Sequence, residues 1–328
     1  MWCTDDGFVG FVEFMGFVGL MTFSVVSVNL LQMFSTLLSV LSMGVIAPPV
    51  WTAMPVSIPS QIGVAPPAIE LRVASRLSAS GVIIIDAQSG QRVYGRQFDV
   101  PRPMASLTKL MTAMIIVEHH KLSEVVRIPQ GIDSSHSTVH LPAGEQFTVG
   151  DVLSAMLVPS ANDAAVALAV HHSGSVEAFV KEMNARASSL GLTQTSFENP
   201  AGLDASLQHS SPQDIAWLTM AALRHPAIQK RLGMRGVRIA SLQGTEISLT
   251  HTHALLHSAG PVKAGKTGTT SGANECLMSV VQEDGHRYII VLLDSLQRYR
   301  DMSTILAALG DAAPADSTSV SLRPPARP

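Results

Sequence analysis

Residues 106–119 read SLTKLMTAMIIVEH. The apolar side chains Leu107, Leu110, Met111, Met114, Ile115 and Val117 recur at three- and four-residue intervals, which predicts a buried helix over 106–119 with Ser106 at its start. Lys109 follows Ser106 by three residues, about one turn, so its amine can reach the Ser106 hydroxyl. A buried, unpaired ammonium is costly, so a lysine on this apolar helix implies a task. Among other cations in a dry cleft a lysine loses basicity, and its neutral form can then take the proton of a serine. The backbone N–H at such a helix start points at open space, where the dipole favours developing negative charge.

Two more short motifs follow in order. Ser160-Ala161-Asn162 comes directly after Pro159, which breaks the helical pattern and lets both polar side chains project. A hydroxyl there can relay a proton to a leaving amine, and a side-chain amide can hold a substrate backbone. Lys266-Thr267-Gly268 reads as a strand edge. Lys266 supplies the second cation, and Gly268, without a side chain, lets a substrate lie close to the backbone. Singly, these motifs are a capped surface helix, a turn and a strand end. Together, in this order and these contexts, they point to acyl transfer through a nucleophilic serine.

Around the motifs the chain alternates strand and helix signals. GVIIID at 81–86 is an apolar strand, Ala87-Gln88-Ser89-Gly90 a turn, and a second strand starting at Gln91 completes a hairpin. Helices are predicted over 151–158, 161–171, 176–190 (stopped by Gly191) and 212–223, the last with Ser211 as cap and Pro212 at its first position. Strands over 276–282 and 287–293 flank an Asp284-Gly285 turn, and 301–309 forms a terminal helix. Strands at both ends with helices between predict an α+β fold: an antiparallel sheet flanked by helices, plus an all-helical lobe, with the site between them.

Composition narrows the class. Of 328 residues 46% are hydrophobic and 14% charged, the formal net charge is −3, and no Lys/Arg cluster marks a nucleic-acid partner. Residues 7–50 contain one ionisable residue, Glu13, enough for one membrane crossing or two. The expected organisation is therefore an apolar signal or transmembrane segment over 1–53, a Pro-rich linker over 54–69, a catalytic domain over 70–311 and a disordered tail over 312–328. No Lys or Arg precedes Arg72, so the basic region of a signal peptide is missing; a start at Met21 or Met33 would give a more ordinary leader. The two cysteines, Cys3 and Cys276, are too differently placed to pair. His251, His253 and His257 and the pairs at 119–120 and 171–172 are read as surface or helix-end residues without an acidic partner at ligand spacing. Asp163 is read as structural.

The segments 102–113 (RPMASLTKLMTA), 157–165 (LVPSANDAA), 197–204 (FENPAGLD) and 265–270 (GKTGTT) resemble the low-molecular-mass penicillin-binding proteins, the serine D-alanyl-D-alanine carboxypeptidase/endopeptidase family, over roughly residues 80–309. The resemblance implies a transpeptidase/β-lactamase-like fold and a serine DD-peptidase, a hydrolase acting on the D-Ala-D-Ala of peptidoglycan peptides. Ser106 would be acylated by the penultimate D-Ala carbonyl and by β-lactams. Lys109 would be the general base, Ser160 would pass the proton on, and Asn162 would bind the peptide amide. Lys266 and Thr267 would hold the substrate carboxylate on the strand of Gly268, and the N–H groups of Ser106 and Thr269 would form the oxyanion hole. The partners implied are peptidoglycan stem peptides, β-lactam inhibitors and the membrane through the N-terminal segment, in the periplasm or cell envelope. No metal or organic cofactor and no nucleic acid is implied.

Two other readings share the motifs. A β-lactamase needs a fast deacylation base, and Glu198-Asn199 differs in spacing from the pair that serves there; it reads as part of a turn. A penicillin-sensing binding module needs a cytoplasmic portion, for which residues 1–7 are short. The chain ends soon after its terminal helix, as in the shorter family members, some of which cut cross-links. Glu275 and Thr269 are departures that bear on substrate preference.

Overall fold

The computed structural model describes residues 75–131, 137 and 139–311, all within one compact unit, 57–328. The expected leader, linker and tail lie outside the described residues. Among the described residues no helix is long and apolar enough to cross a membrane.

The chain opens with the hairpin β1 (Gly81–Asp86) and β2 (Arg92–Arg96). The helical part follows: a 3-10 turn over Ala105–Thr108, α1 (Lys109–His119), the short pair β3 (Val125–Arg127) and β4 (Gln146–Thr148), then α2 (Val149–Leu157), α3 (Asn162–Ser173), α4 (Val176–Ser189), α5 (Pro212–Ala222) and α6 (Pro226–Leu232). A second small pair, β5 (Gly236–Ala240) and β6 (Glu246–Thr250), leads to the long strands β7 (Val262–Thr270), β8 (Asn274–Glu283) and β9 (His286–Ser295), and α7 (Arg298–Asp311) closes the described chain. The main sheet has the order β2-β1-β9-β8-β7, antiparallel throughout, so β7 is an edge.

The alternation of side chains along a strand explains why both sheet faces are dry. Ile83, Ile85, Met278, Val280, Ile289 and Val291 face the core shared with the helices. Val82, Ile84, Leu277, Val281, Ile290 and Leu292 face the opposite core, which α7 covers with Met302, Ile305 and Leu309. With both faces covered, the strands read as unbroken apolar runs. Each fully buried aliphatic side chain contributes about 1.5–3 kcal/mol.

Local chemistry sets the element ends. The side chains of Thr148, Ser175 and Ser211 accept from the N–H three residues on, at α2, α4 and α5. The buried Asp301 carboxylate accepts from the N–H groups of Ser78 (2.8 Å) and Ala79 (2.9 Å) and the hydroxyls of Ser78 (2.7 Å) and Ser295 (2.6 Å). It thereby laces α7 to the residues that precede β1. The hairpins β3–β4 and β5–β6 and helix α6 were not expected from the sequence. Their strands are short or alternately exposed, which leaves weak apolar periodicity.

Candidate active site

Ser106 does not open the α-helix directly; it lies in the 3-10 turn ahead of it, and α1 begins at Lys109. The turn is tight because Ala105 takes a positive φ of 48° and the N–H of Leu107 bonds to the Met104 carbonyl at 3.2 Å. Thr108 closes it through its hydroxyl to the Ala105 carbonyl (2.9 Å) and accepts from Gln208 Nε2 (2.9 Å). A strained residue directly before the candidate nucleophile is the kind that survives only where its surroundings impose it.

The loop at 199–203 supplies that constraint. Asn199 Oδ1 accepts from the N–H groups of Ala201, Gly202 and Leu203. Gly202, with φ 88°, lies so near the Ala105 carbonyl that a Cβ there would overlap it. Glu198 accepts from the Leu207 N–H at 2.7 Å, so Glu198-Asn199 is a turn element, as read from the sequence.

Lys109 is completely buried, and its Nζ donates to Ser106 Oγ (2.9 Å), Asn162 Oδ1 (2.7 Å) and the Ala201 carbonyl (2.6 Å). Burial pushes its pKa down to about 7, a fall that the negative charge of Asp163 partly opposes. The sequence argument gave neighbouring cations and a dry cleft as the causes; the dryness is the one that lowers Lys109 here. Asp163 is held by the N–H groups of Leu141 and Ala164.

Ser160, with φ 70°, joins the break between α2 and α3 to the strand: Lys266 Nζ donates to Ser160 Oγ (2.7 Å) and to the Thr267 carbonyl (2.8 Å). Lys266 is also fully buried, and burial first, then repulsion from Lys109 and Arg298, holds its pKa well below that of a free lysine. Thr267 shares a 2.5 Å hydrogen bond with the Thr252 hydroxyl.

Gly268 lines the cleft, and the structure gives its missing side chain a further reason. A Cβ there would lie 2.9 Å from Ser106 N and 2.8 Å from Ala105 Cβ, so the missing side chain lets β7 press against the nucleophile turn itself. The resulting cleft of about 440 Å³ is lined by Ser106, Ser160, Asn162, Thr267, Thr269 and Arg298, among others.

Arg298 was not identified from the sequence, having no motif around it. At the start of α7, its Nη1 donates to the Gly268 carbonyl and the Thr269 hydroxyl, both at 2.8 Å. Glu275 accepts from the Arg298 N–H at 2.9 Å and lies 3.9 Å from its guanidinium, so Glu275 positions this cation. Cys276 is free and buried, and burial pushes its thiol up to about 12, away from reactivity.

The histidines divide. His251 and His253, read from the sequence as surface residues, instead lie buried under β7, His253 against Ser279 (2.7 Å), and burial lowers them to about 3 and about 4, so both stay neutral. The pairs at 119–120 and 171–172 correct the sequence reading. Packing of α1 against α3 brings them together, and acidic partners, Glu124 and Glu182, stand at contact distance.

Comparison with known proteins agrees with this architecture. A family model described as D-alanyl-D-alanine carboxypeptidase matches residues 68–297. The chain is 33% identical over 220 residues to a D-alanyl-D-alanine carboxypeptidase of Bacillus subtilis, covering 65% of this chain and 57% of that one. It is 30% identical to a D-alanyl-D-alanine endopeptidase of Pseudomonas aeruginosa, covering 71% and 77%. Among solved structures, a D-alanyl-D-alanine carboxypeptidase of Mycobacterium tuberculosis superposes with a TM-score of 0.67 at 26% identity, covering 73% of this chain and 93% of that one. The Streptomyces K15 DD-transpeptidase gives 0.66 at 24% identity, over 71% and 97%, and shows the shared fold.

Proposed function

The chain belongs to the D-alanyl-D-alanine carboxypeptidase family, and from that premise we propose that it is a serine DD-peptidase that cleaves peptidoglycan peptides through an acyl-enzyme on Ser106. The observation that carries the reading is the 2.9 Å contact between Lys109 Nζ and Ser106 Oγ in a fully buried setting where the amine loses its proton near neutral pH.

The mechanism follows from these positions. Neutral Lys109 accepts the Ser106 hydroxyl proton as Oγ bonds to the penultimate D-Ala carbonyl carbon. The N–H groups of Ser106 and Thr269 hold the oxyanion, since β7 lies against the nucleophile turn at Gly268. As the C–N bond breaks, the departing D-Ala nitrogen takes a proton through Ser160, which Lys266 anchors at 2.7 Å. Asn162 binds the peptide amide. Lys266 and Thr267 hold the terminal carboxylate, and Arg298 adds a second buried-edge cation beside Thr269. Water then attacks the ester carbonyl, with Lys109 again as base, and Ser106 is released. β-Lactams enter by the same first step and form a longer-lived ester: among the described residues Glu198 is bonded to the Leu207 N–H, Asp163 to that of Leu141, and Asp204, at the cleft, to Thr270 and the Gly272 N–H.

Relatives named as carboxypeptidase and as endopeptidase both match, so the acyl donor is either a terminal D-Ala-D-Ala or a cross-link of the same stereochemistry. The domain at 70–311 would act in the periplasm or cell envelope, tethered by the apolar segment 1–53. The test is mass spectrometry of the chain incubated with benzylpenicillin beside Ser106→Ala. A stable adduct on Ser106, absent from the variant, is expected. Drug turnover without an adduct would replace the reading with a β-lactamase, and neither adduct nor turnover from folded protein would overturn it.

A further inference from the structure

On the helical lobe, outside the cleft, two helix C-termini converge: α1 ends at His119, capped by His120, and α3 carries His171 and His172 in its last turn. Their last carbonyls favour a cation. Glu182 of α4 and Glu124 after α1 complete the group. Candidate ligand atoms of His119, His172 and Glu182 all lie within 4.8 Å of one another, as do those of His120, Glu124 and His171.

Four residues form a continuous row. His120 Nδ1 is 2.7 Å from Glu124 Oε2, His120 Nε2 is 2.8 Å from His172 Nδ1, and His172 Nε2 is 2.9 Å from Glu182 Oε2. Each of the three contacts needs one hydrogen, because a carboxylate only accepts and two bare ring nitrogens repel. Two neutral imidazoles carry two N–H groups. The row is therefore one positive charge short. Glu124 does not supply it, since the Lys121 N–H and His120 hold its carboxyl below the usual range.

Two placements of the hydrogens are equivalent along the row, and His119 beside Glu182 favours the one that leaves the missing charge at that end. With His120 donating from Nδ1 to Glu124 and His172 donating from Nδ1 to His120, the lone pair of His172 Nε2 faces Glu182. His119 Nδ1 lies 2.8 Å from the Ile115 carbonyl and can only donate there, which leaves the lone pair on its Nε2. Two imidazole lone pairs and one carboxylate thus share a small volume, each imidazole oriented from behind by a carbonyl or a histidine–carboxylate relay. That is the arrangement that backs metal-binding histidines.

We propose that His119, His172 and Glu182 form a binding site for a divalent transition cation of the zinc class, with His120 and Glu124 as positioning residues. Nitrogen and oxygen ligands sit ~2.0–2.2 Å from zinc, so closing on the ion takes only small side-chain rotations from the 4.8 Å spread. His119 is exposed and leaves the remaining coordination position to water. The ion would clamp the ends of α1, α3 and α4, and it is independent of the reaction at Ser106.

The experiment is calorimetric titration of the tag-free, chelator-treated full chain with Zn²⁺, together with visible spectra of the Co²⁺ form. One ion per chain with micromolar or tighter affinity is expected. At a hundredfold excess over the dissociation constant, Tm should rise by roughly 5–10 °C. His119→Gln, at an exposed position, and Glu182→Gln should abolish tight binding and the Co²⁺ spectrum. His120→Gln should weaken it ~10–100-fold by freeing the ring of His172, and His171→Gln should leave it unchanged. Circular dichroism verifies that each variant is folded. Absence of Zn²⁺ binding, or binding unaffected by His119→Gln and Glu182→Gln, overturns the proposal in favour of a shared proton. Loss in His171→Gln alone overturns it in favour of the neighbouring triad.

Discussion

A methyl group on the α-carbon of Gly268 would lie 2.9 Å from the backbone nitrogen of Ser106. Strand β7 and the nucleophile turn are thus in backbone contact, and the gap between the N–H groups of Ser106 and Thr269 depends on that closeness. Gly268→Ala must push the two apart. The loss of one oxyanion donor costs ~10²–10³-fold, so penicillin acylation should fall by that order while the circular dichroism spectrum is kept. A wild-type rate in Gly268→Ala would contradict this role of the glycine.

Lys109→Met should slow acylation by ~10²–10⁴-fold, the range for a lost proton-transfer group. In the wild type, the second-order rate constant should rise with pH through a midpoint near 7, where Lys109 loses its proton. The stability effect has the opposite sense to that of a salt bridge. The folded-state pKa lies below the 10.5 of a free lysine, so between about 7 and 10.5 the unfolded chain binds the extra proton and stability increases with pH, by up to ~1.4 kcal/mol per unit. Urea midpoints measured from pH 7 to 9 should climb less in Lys109→Met than in the wild type.

Arg298 donates to both the Gly268 carbonyl and the Thr269 hydroxyl at the cleft rim. A charged hydrogen bond is worth about 1.5–3 kcal/mol, so Arg298→Gln should raise KM for a D-Ala-D-Ala peptide roughly 10–100-fold with a smaller change in kcat. Equal loss in kcat and kcat/KM would instead place Arg298 in the transition state alone.

Asp301→Ala removes the acceptor of four hydrogen bonds and strands the buried donors of Ala79 and Ser295 together with the half-buried ones of Ser78. Each unpaired buried donor costs ~1–3 kcal/mol, so chemical denaturation should show a loss of about 3 kcal/mol or more. A loss below about 1 kcal/mol would mean that water replaces the carboxylate.

Much of this was legible in the chain because it lies in local pattern. The apolar runs of β1, β8 and β9 read directly as strands because both faces are buried, and the Ser211-Pro212 start of α5 follows from capping chemistry. The three motifs gave Ser106, Lys109, Ser160, Asn162 and Lys266, which gather at one cleft. What escaped depends on residues far apart. Gly202 takes its constraint from Ala105, and Arg298 enters the cleft through the turn after β9. The histidine pairs acquire Glu124 and Glu182 only when α1, α3 and α4 pack. The 3-10 start of the nucleophile segment was hidden for the same reason: Thr108 is held by Gln208, a hundred residues on.

The antiparallel pairing of β1 with β9 also sets a timetable. Asp86 meets His286 at the end of that ladder, 200 residues later in the chain. Contacts of such long range are entropically late, so β1, made early, waits beside β2 with its apolar residues unpaired until nearly all the domain exists. Ser106 and Lys109 are made early too, but Lys266 and Thr269 arrive on β7 with the closing sheet. A nascent chain therefore carries the nucleophile without the cleft that arms it. Its exposed β1–β2 hairpin is the segment on which chaperone capture or aggregation would act first.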